Sequence, residues 1–431
     1  MMNRTISAIL AVCLLLALGS CRAGDLADGP DRPAQAPTGA AEPTPAPLPE
    51  PSPEPPEEAP PWKVAIFTSI ANNEPEYVAA LSAAERYEGR IALKSIDFYS
   101  YVNNVEPPED ETVLSELLQL VEDPEIGALI FIDAGNLDDP IALLKGIMEA
   151  RPGISYTYIN CWPDLYYSYR TDDALMEKVD IALSIDLVET AKKAVNQANE
   201  LGAEMCVDYT YWYGDLYSYE FLDEDTPRVL PEVRDAIREE CEKLGMGHLV
   251  SPWGSPFGLF NWPGNDIFDK LHIYGTNICL FSNRCMYQFA IDRGVFGYGE
   301  MIVQLCHPGL FHANYSQNVG YPLAQIKDDE NHFGDLEWTF EKAKAIVEER
   351  DYSGHFATWR VPFSMAATTA AVEYAVGYLD GAIESRCDYA AMKGCFARAM
   401  EAYNAGDIGF ELNIDPRYGN HFMFTQEYIV L

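Results

Sequence analysis

The sequence lacks the short motifs that mark the commonest catalytic and metal-binding sites. It contains no Gly-x-Ser-x-Gly, no Walker-type phosphate loop, no Gly-x-Gly-x-x-G, no His-Glu-x-x-His and no Cys-x-x-Cys. The stretch CHPGLFH at 306–312 groups a cysteine with two histidines, but these lie five residues apart on a Pro-Gly loop. That spacing does not give the shared helical face that makes an i, i+4 pair a good ligand set. We therefore expect no catalytic residue, no metal site and no cofactor.

Basic residues are also scarce. Lys and Arg number 29 against 67 Asp and Glu, which gives the 431-residue chain a formal net charge of −38 at pH 7. Nucleic acid and anionic lipid repel such a chain, because binding to either depends on cationic side chains that meet phosphate groups. We therefore expect no nucleic-acid partner.

The first hydrophobic run, Ile6 to Leu18, is too short to span a bilayer as a helix. It follows Arg4 and ends on Leu18-Gly19-Ser20-Cys21, which resembles a bacterial lipobox, a motif whose cysteine is acylated before cleavage. The resemblance predicts a signal peptide over 1–21, lipidation of Cys21 and an extracytoplasmic, lipid-anchored mature protein. An ordinary signal peptide with a chance cysteine is the alternative.

Residues 22–61 form a segment rich in Pro, Ala and Glu, as in PAPLPEPSPEPPEEAPP. Such a composition cannot bury enough apolar surface to form a core, so we predict a disordered tether. At roughly 3.1 Å per residue in a polyproline helix, it would reach on the order of 100 Å.

Eight of the ten cysteines remain once Cys13 and Cys21 are set aside. An even number permits disulfides outside the membrane. Cys206, Cys279 and Cys306 each lie in an apolar run typical of a buried strand, where a free thiol is common. The pairing of the eight cysteines therefore stays open.

From Trp62 onward, apolar strand-like runs alternate with amphipathic helical segments. KVAIFTS, RIALKSID, GALIFIDAG and SYTYIN form a first set, and IALSID, EMCVDY, HLVSPW, NICLFS and MIVQLC form a second. This rhythm predicts an α/β fold with two doubly wound parallel-sheet lobes. We assign 62–180 plus about 335–405 to the first lobe, and 181–334 plus 406–431 to the second lobe and a hinge return.

The layout resembles the type I solute-binding proteins of bacterial transport systems. More narrowly, WKVAIFTSI, ALIFIDAG and LVETAKKAV resemble an uncharacterised family of lipoproteins known only as a domain of unknown function. The wider resemblance implies two lobes joined by a three-strand hinge, a small solute trapped between them and an ABC-type permease as a partner. Regulators of that fold add an N-terminal DNA-binding segment, but here a signal and a Pro-rich arm occupy that place.

Two alternatives to transport stay open. The first is a surface-tethered hydrolytic enzyme. A glycosidase uses a pair of carboxylates, and this chain has so many acidic residues that their presence neither supports nor excludes such a pair. The other is a sensor or scaffold lipoprotein with no transport role.

Ligands of open α/β sheets bind beyond the carboxyl ends of the strands, where loops converge. This rule selects the polar and aromatic side chains that follow the predicted strands. The candidate ligand residues are Ser69, Asn72, Tyr99, Asp133, Asn136, Asn160 and Trp162 in the first set and Asp208, Tyr211, Trp212, Trp253, Asn283, Arg284 and His307 in the second.

Two aromatic-rich stretches follow strands in different sets. These are NCWPDLYYSY at 160–169 and DYTYWYGDLYSYEF at 208–221. Aromatic faces stack on sugars or bases, and neighbouring carboxylates accept hydrogen bonds from hydroxyl or amino groups. We therefore predict a small polar solute, neutral or cationic, that carries a ring. Packing of these tyrosines between the lobes is the alternative.

Overall fold

A computed structural model describes residues 62–68, 75–95, 110–133, 140–161, 173–208, 229–250, 263–281, 301–305 and 334–431, with the single residues 299, 309 and 332. They fall in one compact unit, Ala59–Leu431. The predicted signal peptide and tether lie outside these residues.

Thirteen strands and ten helices are described. The strands are β1 (Lys63–Thr68), β2 (Ile91–Ser95), β3 (Ile126–Asp133), β4 (Ser155–Asn160), β5 (Ile181–Ile185), β6 (Met205–Asp208), β7 (Gly247–Val250), β8 (Ile278–Phe281), β9 (Met301–Val303), β10 (Phe356–Thr358), β11 (Phe410–Ile414), β12 (His421–Gln426) and β13 (Ile429–Val430). The helices are α1 (Pro75–Arg86), α2 (Asp110–Val121), α3 (Pro140–Ala150), α4 (Asp173–Met176), α5 (Leu187–Glu200), α6 (Val229–Leu244), α7 (Pro263–Tyr274), α8 (Leu336–Glu349), α9 (Phe363–Leu379) and α10 (Tyr389–Ala402).

Local sequence explains where several helices begin and end. Pro75 occupies the first position of α1, where its missing N–H costs nothing. The Asp186 side chain accepts a hydrogen bond from the backbone N–H of Glu189 and so caps α5. Gly202, with φ of 95°, takes the left-handed conformation that ends the same helix. Each of the three belongs to a residue type that marks a helix end in sequence.

The strands form two sheets with the same internal order. The first sheet runs β2-β1-β3-β4-β5-β12-β11, and the second runs β7-β6-β8-β9-β10-β13. All neighbours are parallel except β11–β12 and β10–β13. Five strands of each sheet thus follow the 2-1-3-4-5 order of a doubly wound fold.

Both faces of each sheet are covered. On β1, Val64 and Ile66 pack with α1 and α9, whereas Ala65 and Phe67 pack with α2 and α3 on the opposite face. In the second sheet, neighbouring residues of β6 likewise alternate between the side of α5 and α6 and the side of α8. The predicted fold class, two doubly wound and mostly parallel α/β lobes, is confirmed.

The chain passes between the sheets at three places. The first passage is α5 with its flanking turns, between β5 and β6. The second is residues 359–362, which lead from β10 to α9, and the third is residues 427–428, between β12 and β13. The chain therefore crosses between the two sheets three times, where the resemblance implies a hinge.

The predicted lobe boundaries need correction in three places. The strand at 181–185, assigned to the second lobe, belongs to the first sheet, as do β11 and β12. Helix α8 and strand β10 were both assigned to the first lobe, but α8 packs through Ala343 and Val347 on the second sheet and β10 is one of its strands. The parallel pairing of β12 with β5 brings β12, and with it β11, into the first sheet rather than the second.

The apolar, alanine-rich stretch at 362–384 contains helix α9. Twelve of its seventeen residues are buried, and it packs on α1, α10 and the first sheet. Tertiary packing therefore accounts for its hydrophobicity. Within the described part of the chain, no helix combines the length and apolar character needed to cross a membrane.

Three described elements were not predicted. The short helix α4 lies between SYTYIN and IALSID. Helix α7 lies between HLVSPW and NICLFS, and the short strand β10 lies between α8 and α9.

Candidate functional site

Each sheet has one point where its winding reverses, and both points lie at carboxyl ends of parallel strands. In the first lobe this point lies between β1 and β3, and in the second lobe it lies between β6 and β8. Connections leave these adjacent strands in opposite directions, which opens a crevice for a ligand. We therefore take the residues that end these strands as the candidate site.

In the first lobe the candidate site contains a buried carboxylate, Asp133, which ends β3 and is 2% exposed. The hydroxyl of Tyr158 on β4 donates a hydrogen bond of 2.9 Å to Oδ2 of Asp133. Burial, followed by the charge of Asp133, raises the pKa of Tyr158 well above its ordinary value. The phenol therefore keeps its proton and holds one carboxylate oxygen in place.

The carboxylate of Glu76 and the thiol of Cys161 also lie near Asp133 at this end of the first sheet. Cys161 follows β4, and its backbone N–H donates a hydrogen bond of 2.9 Å to the carbonyl oxygen of Asp133. Burial raises the pKa of the Cys161 thiol, and the charges of Glu76 and Asp133 raise it further. The thiol is therefore protonated at neutral pH and unsuited to act as a nucleophile.

The second lobe places another buried carboxylate at its switch point. Asp208 ends β6 and is fully buried. Nε2 of His248, on the neighbouring strand β7, lies 3.3 Å from Oδ2 of Asp208. The registers of β6 with β7 and β8 place Asp208 beside Val250 and Phe281. A carboxylate and an imidazole thus lie at the carboxyl end of this sheet.

Three of the fourteen predicted ligand residues are described. Asp133 and Asn160 are register partners on β3 and β4, so the structure brings them together, and Asp208 ends β6 in the other lobe. The other predicted residues lie outside the described residues, as does the predicted lipidation site Cys21; they are Ser69, Asn72, Tyr99, Asn136, Trp162, Tyr211, Trp212, Trp253, Asn283, Arg284 and His307.

The rule that selects residues after strands does not find Tyr158, His248 or Glu76, because none of them follows a strand. Tyr158 and His248 lie within strands, and Glu76 lies in the first turn of α1. Tyr158 precedes Asn160 by two positions, so strand alternation places both side chains on one face. That spacing was the available signal for Tyr158.

The described residues contain no group of three or more His, Cys, Asp or Glu side chains arranged to hold a metal ion. Asp133 contacts the hydroxyl of Tyr158 and Asp208 contacts the imidazole of His248, each from a neighbouring strand. This arrangement suits recognition of hydroxyl or amino groups.

The model of a protein family matches residues 62–357, which is more than half of the chain. The family is described as a protein of unknown function, DUF3798. This chain belongs to that family. The prediction that the chain belongs to an uncharacterised family is therefore confirmed. Lipidation of Cys21 stays a prediction.

Several solved structures resemble this chain in fold, although their sequence identity to it is low. A candidate transcriptional regulator from Clostridium difficile 630 is 16% identical, with 86% of this chain and 99% of that chain covered and a TM-score of 0.63. Two ABC-transporter solute-binding proteins give lower scores. One, from R. palustris in complex with 4-hydroxybenzoate, is 11% identical over 86% of this chain and 92% of that chain, with a TM-score of 0.42. The other, from Clostridium phytofermentas with bound L-rhamnose, is 10% identical, with 85% of this chain and 95% of that chain covered and a TM-score of 0.43.

A comparison with curated proteins found no match to this chain. The comparisons thus establish its family, and the likeness to the Clostridium difficile structure shows a shared fold.

Proposed function

We propose that this chain is a solute-binding protein that takes a small polar solute between its two lobes. One observation carries the proposal. Each of two hinged sheets with the same strand order ends in a buried carboxylate at its switch point, Asp133 in one lobe and Asp208 in the other. Pockets of open α/β folds form at such points.

The chemistry of these groups favours a solute with hydrogen-bond donors. Carboxylates accept hydrogen bonds from hydroxyl or ammonium groups and repel anions. Asn160, the register partner of Asp133, adds an amide that both donates and accepts. The aromatic stretches at 160–169 and 208–221 add the stacking faces that a sugar-like or nucleoside-like ring would use.

The cellular setting is part of the same proposal. Lipidation at Cys21 and the tether over 22–61 would hold the two lobes outside the membrane, beside an ABC-type permease. The net charge of −38 weighs against a DNA-bound regulator, because phosphate contacts need clustered cationic side chains.

A thermal-shift screen of residues 22–431 against sugars, nucleosides, amino acids and peptides tests the proposal. A solute at about 100 times its Kd adds roughly 2.7 kcal/mol to stability, a shift of several degrees. We expect a hit that is recovered chemically unchanged. A hit that is consumed, or silence from every class, would contradict the proposal.

Variants then locate the site. Asp133→Asn and Asp208→Asn keep the side-chain shape and remove the charge, so each should weaken binding by about tenfold or more. Trp162→Ala and Trp212→Ala test the stacking faces in the same way. Asp407→Asn is the matched control, because Asp407 is exposed. Equal affinity in all five proteins would show that the solute binds elsewhere.

A further inference from the structure

Ser184, His421 and Asp415 form a continuous hydrogen-bonded chain in the first lobe. Oγ of Ser184 lies 2.8 Å from Nε2 of His421, and Nδ1 of His421 lies 3.1 Å from Oδ2 of Asp415. One ring nitrogen therefore meets a hydroxyl and the other meets a carboxylate. This is the arrangement in which an imidazole takes a proton from serine while a carboxylate fixes its tautomer.

The pairing of β5 with β12 produces this geometry from residues that are distant in sequence. The parallel register places Ser184 opposite Met423 and Ala182 opposite His421. Phe422 and Phe424 point into the core on one face of β12, so His421 points to the other face, towards Ser184. Ser184 is partly exposed, whereas His421 is 7% exposed. A reagent can thus reach the hydroxyl while the imidazole stays fixed.

Asp415 remains ionised in this arrangement. Arg417 donates hydrogen bonds of 3.1 Å to Oδ1 and 2.8 Å to Oδ2 of Asp415. Burial alone would raise the pKa of Asp415, but the hydrogen bonds from His421 and Arg417 outweigh it and hold the pKa well below its ordinary value. A carboxylate that stays charged can stabilise an imidazolium that forms beside it.

We propose that Ser184 is a nucleophile for acyl transfer, acting on small esters at the carboxyl end of the first sheet. Oγ of Ser184 bonds to the ester carbonyl carbon while its proton passes to Nε2 of His421. The bond from that carbon to the alkoxy oxygen then breaks, and the departing alcohol takes the proton from His421. Water gives a proton to the same nitrogen, attacks the acyl group and releases a carboxylic acid, and Ser184 recovers its proton.

Asn160 is the group placed to stabilise the developing oxyanion. The register of β4 and β5 pairs Ile159 with Leu183, so one further step brings Asn160 opposite Ser184 on the same face. Neighbouring strands of a sheet lie about 4.7–4.9 Å apart. An asparagine amide at that separation can donate to the oxygen of a carbonyl held at Ser184, as side-chain amides do in oxyanion holes.

The same bonds also tie the turn between β11 and β12 to β5. A network with only that structural role requires no reactive hydroxyl. Reactivity of Ser184 towards an electrophile that labels activated serines therefore separates the two roles, and it does so without any knowledge of the solute.

The test uses a fluorophosphonate probe on the purified full chain, with mass spectrometry to locate the modified residue. We expect phosphonylation of Ser184, none in Ser184→Ala, and labelling about 100-fold slower in His421→Gln, whose amide fills the space but is not a base. Ser95→Ala is the matched control and should leave labelling unchanged, because Ser95 is a partly exposed strand residue of the same sheet. Thermal unfolding of each variant verifies that it is folded.

Hydrolysis of p-nitrophenyl acetate gives a second readout. The wild-type rate should exceed that of Ser184→Ala by about tenfold or more, with Asp415→Asn between the two. An unlabelled Ser184, or labelling of equal rate in folded His421→Gln, would overturn the proposal and leave the network as an anchor for the β11–β12 turn.

Discussion

At the scale of single residues, the hydroxyl of Tyr158 donates to a carboxylate that is almost completely buried. Hydrogen bonds to charged groups contribute about 1.5–3 kcal/mol, roughly twice the value for neutral partners. Tyr158→Phe should therefore lower the free energy of unfolding by about 2 kcal/mol, measured by urea denaturation. Tyr156→Phe is the control, since its hydroxyl donates to the neutral carbonyl of Arg151 at 2.7 Å, and it should lose about 1 kcal/mol. A smaller loss for Tyr158→Phe than for Tyr156→Phe would contradict this account.

Asp415 gives a pH-dependent prediction at the same scale. Its pKa is lower in the folded chain than in the unfolded chain, so the stabilisation is complete above the ordinary pKa of about 3.9 and is lost as pH falls below it. Asp415→Asn should therefore be less stable than wild type by about 1–3 kcal/mol at pH 7, and the difference should shrink between about pH 4 and pH 2. Denaturant unfolding across this pH range measures the difference. A difference that stays constant with pH would sink the prediction, and exposed Asp407→Asn should show none.

At the scale of elements, helix α5 is held against the β11–β12 hairpin by polar contacts at the first passage of the hinge. Lys193 binds Glu411 at 2.9 Å and also pairs with Glu427, and Thr190 donates to Thr425 at 3.0 Å. The side chain of Lys193 is 13% exposed, so its ion pairs are less screened than surface pairs.

Lys193→Met keeps the apolar stem and removes both ion pairs. It should lower the free energy of unfolding by about 1–2 kcal/mol, because it leaves two carboxylates near each other without their cation. Lys243→Met is the control, since Lys243 pairs only locally with Glu240 on α6 and its side chain is 63% exposed; it should lose less than about 0.5 kcal/mol. Equal losses in chemical denaturation would show that the hinge contact has no special weight.

Elements whose evidence is local were predictable from sequence. The strand KVAIFT and the capped helix α5 carry their own apolar pattern and end signals. Strand β10 has three residues, and its extended form depends on pairing with β9 and β13. Helix α7 begins with Pro263-Gly264-Asn265, a run typical of turns, which conceals the helix that follows.

At the scale of the whole molecule, predictability decreases because sheet membership depends on pairing between distant segments. The rule that ligands bind at the carboxyl ends of strands selected Asp133, Asn160 and Asp208, because each is the last residue of a strand that can be recognised from its own sequence. Tyr158 and His248 join these carboxylates only through the register of neighbouring strands, and Ser184 meets His421 across 237 positions. A period of two along one strand carries no information about which strand lies beside it.

The net charge of −38 leads to a last prediction for the molecule as a whole. The 67 acidic residues repel one another, and only 29 basic residues offset their charge. This repulsion destabilises the compact state and acts between exposed charges over long distances. Raising the ionic strength from 0.01 M to 0.15 M shortens the Debye length from about 30 Å to about 8 Å. The melting temperature should therefore rise by several degrees with NaCl over this range, even though attractive surface pairs are weakened at the same time. KCl and tetramethylammonium chloride are the controls, because a rise from screening should be the same for each cation. A melting temperature that falls with salt, or rises with one cation alone, would show that specific ion pairs or cation binding outweigh the general repulsion.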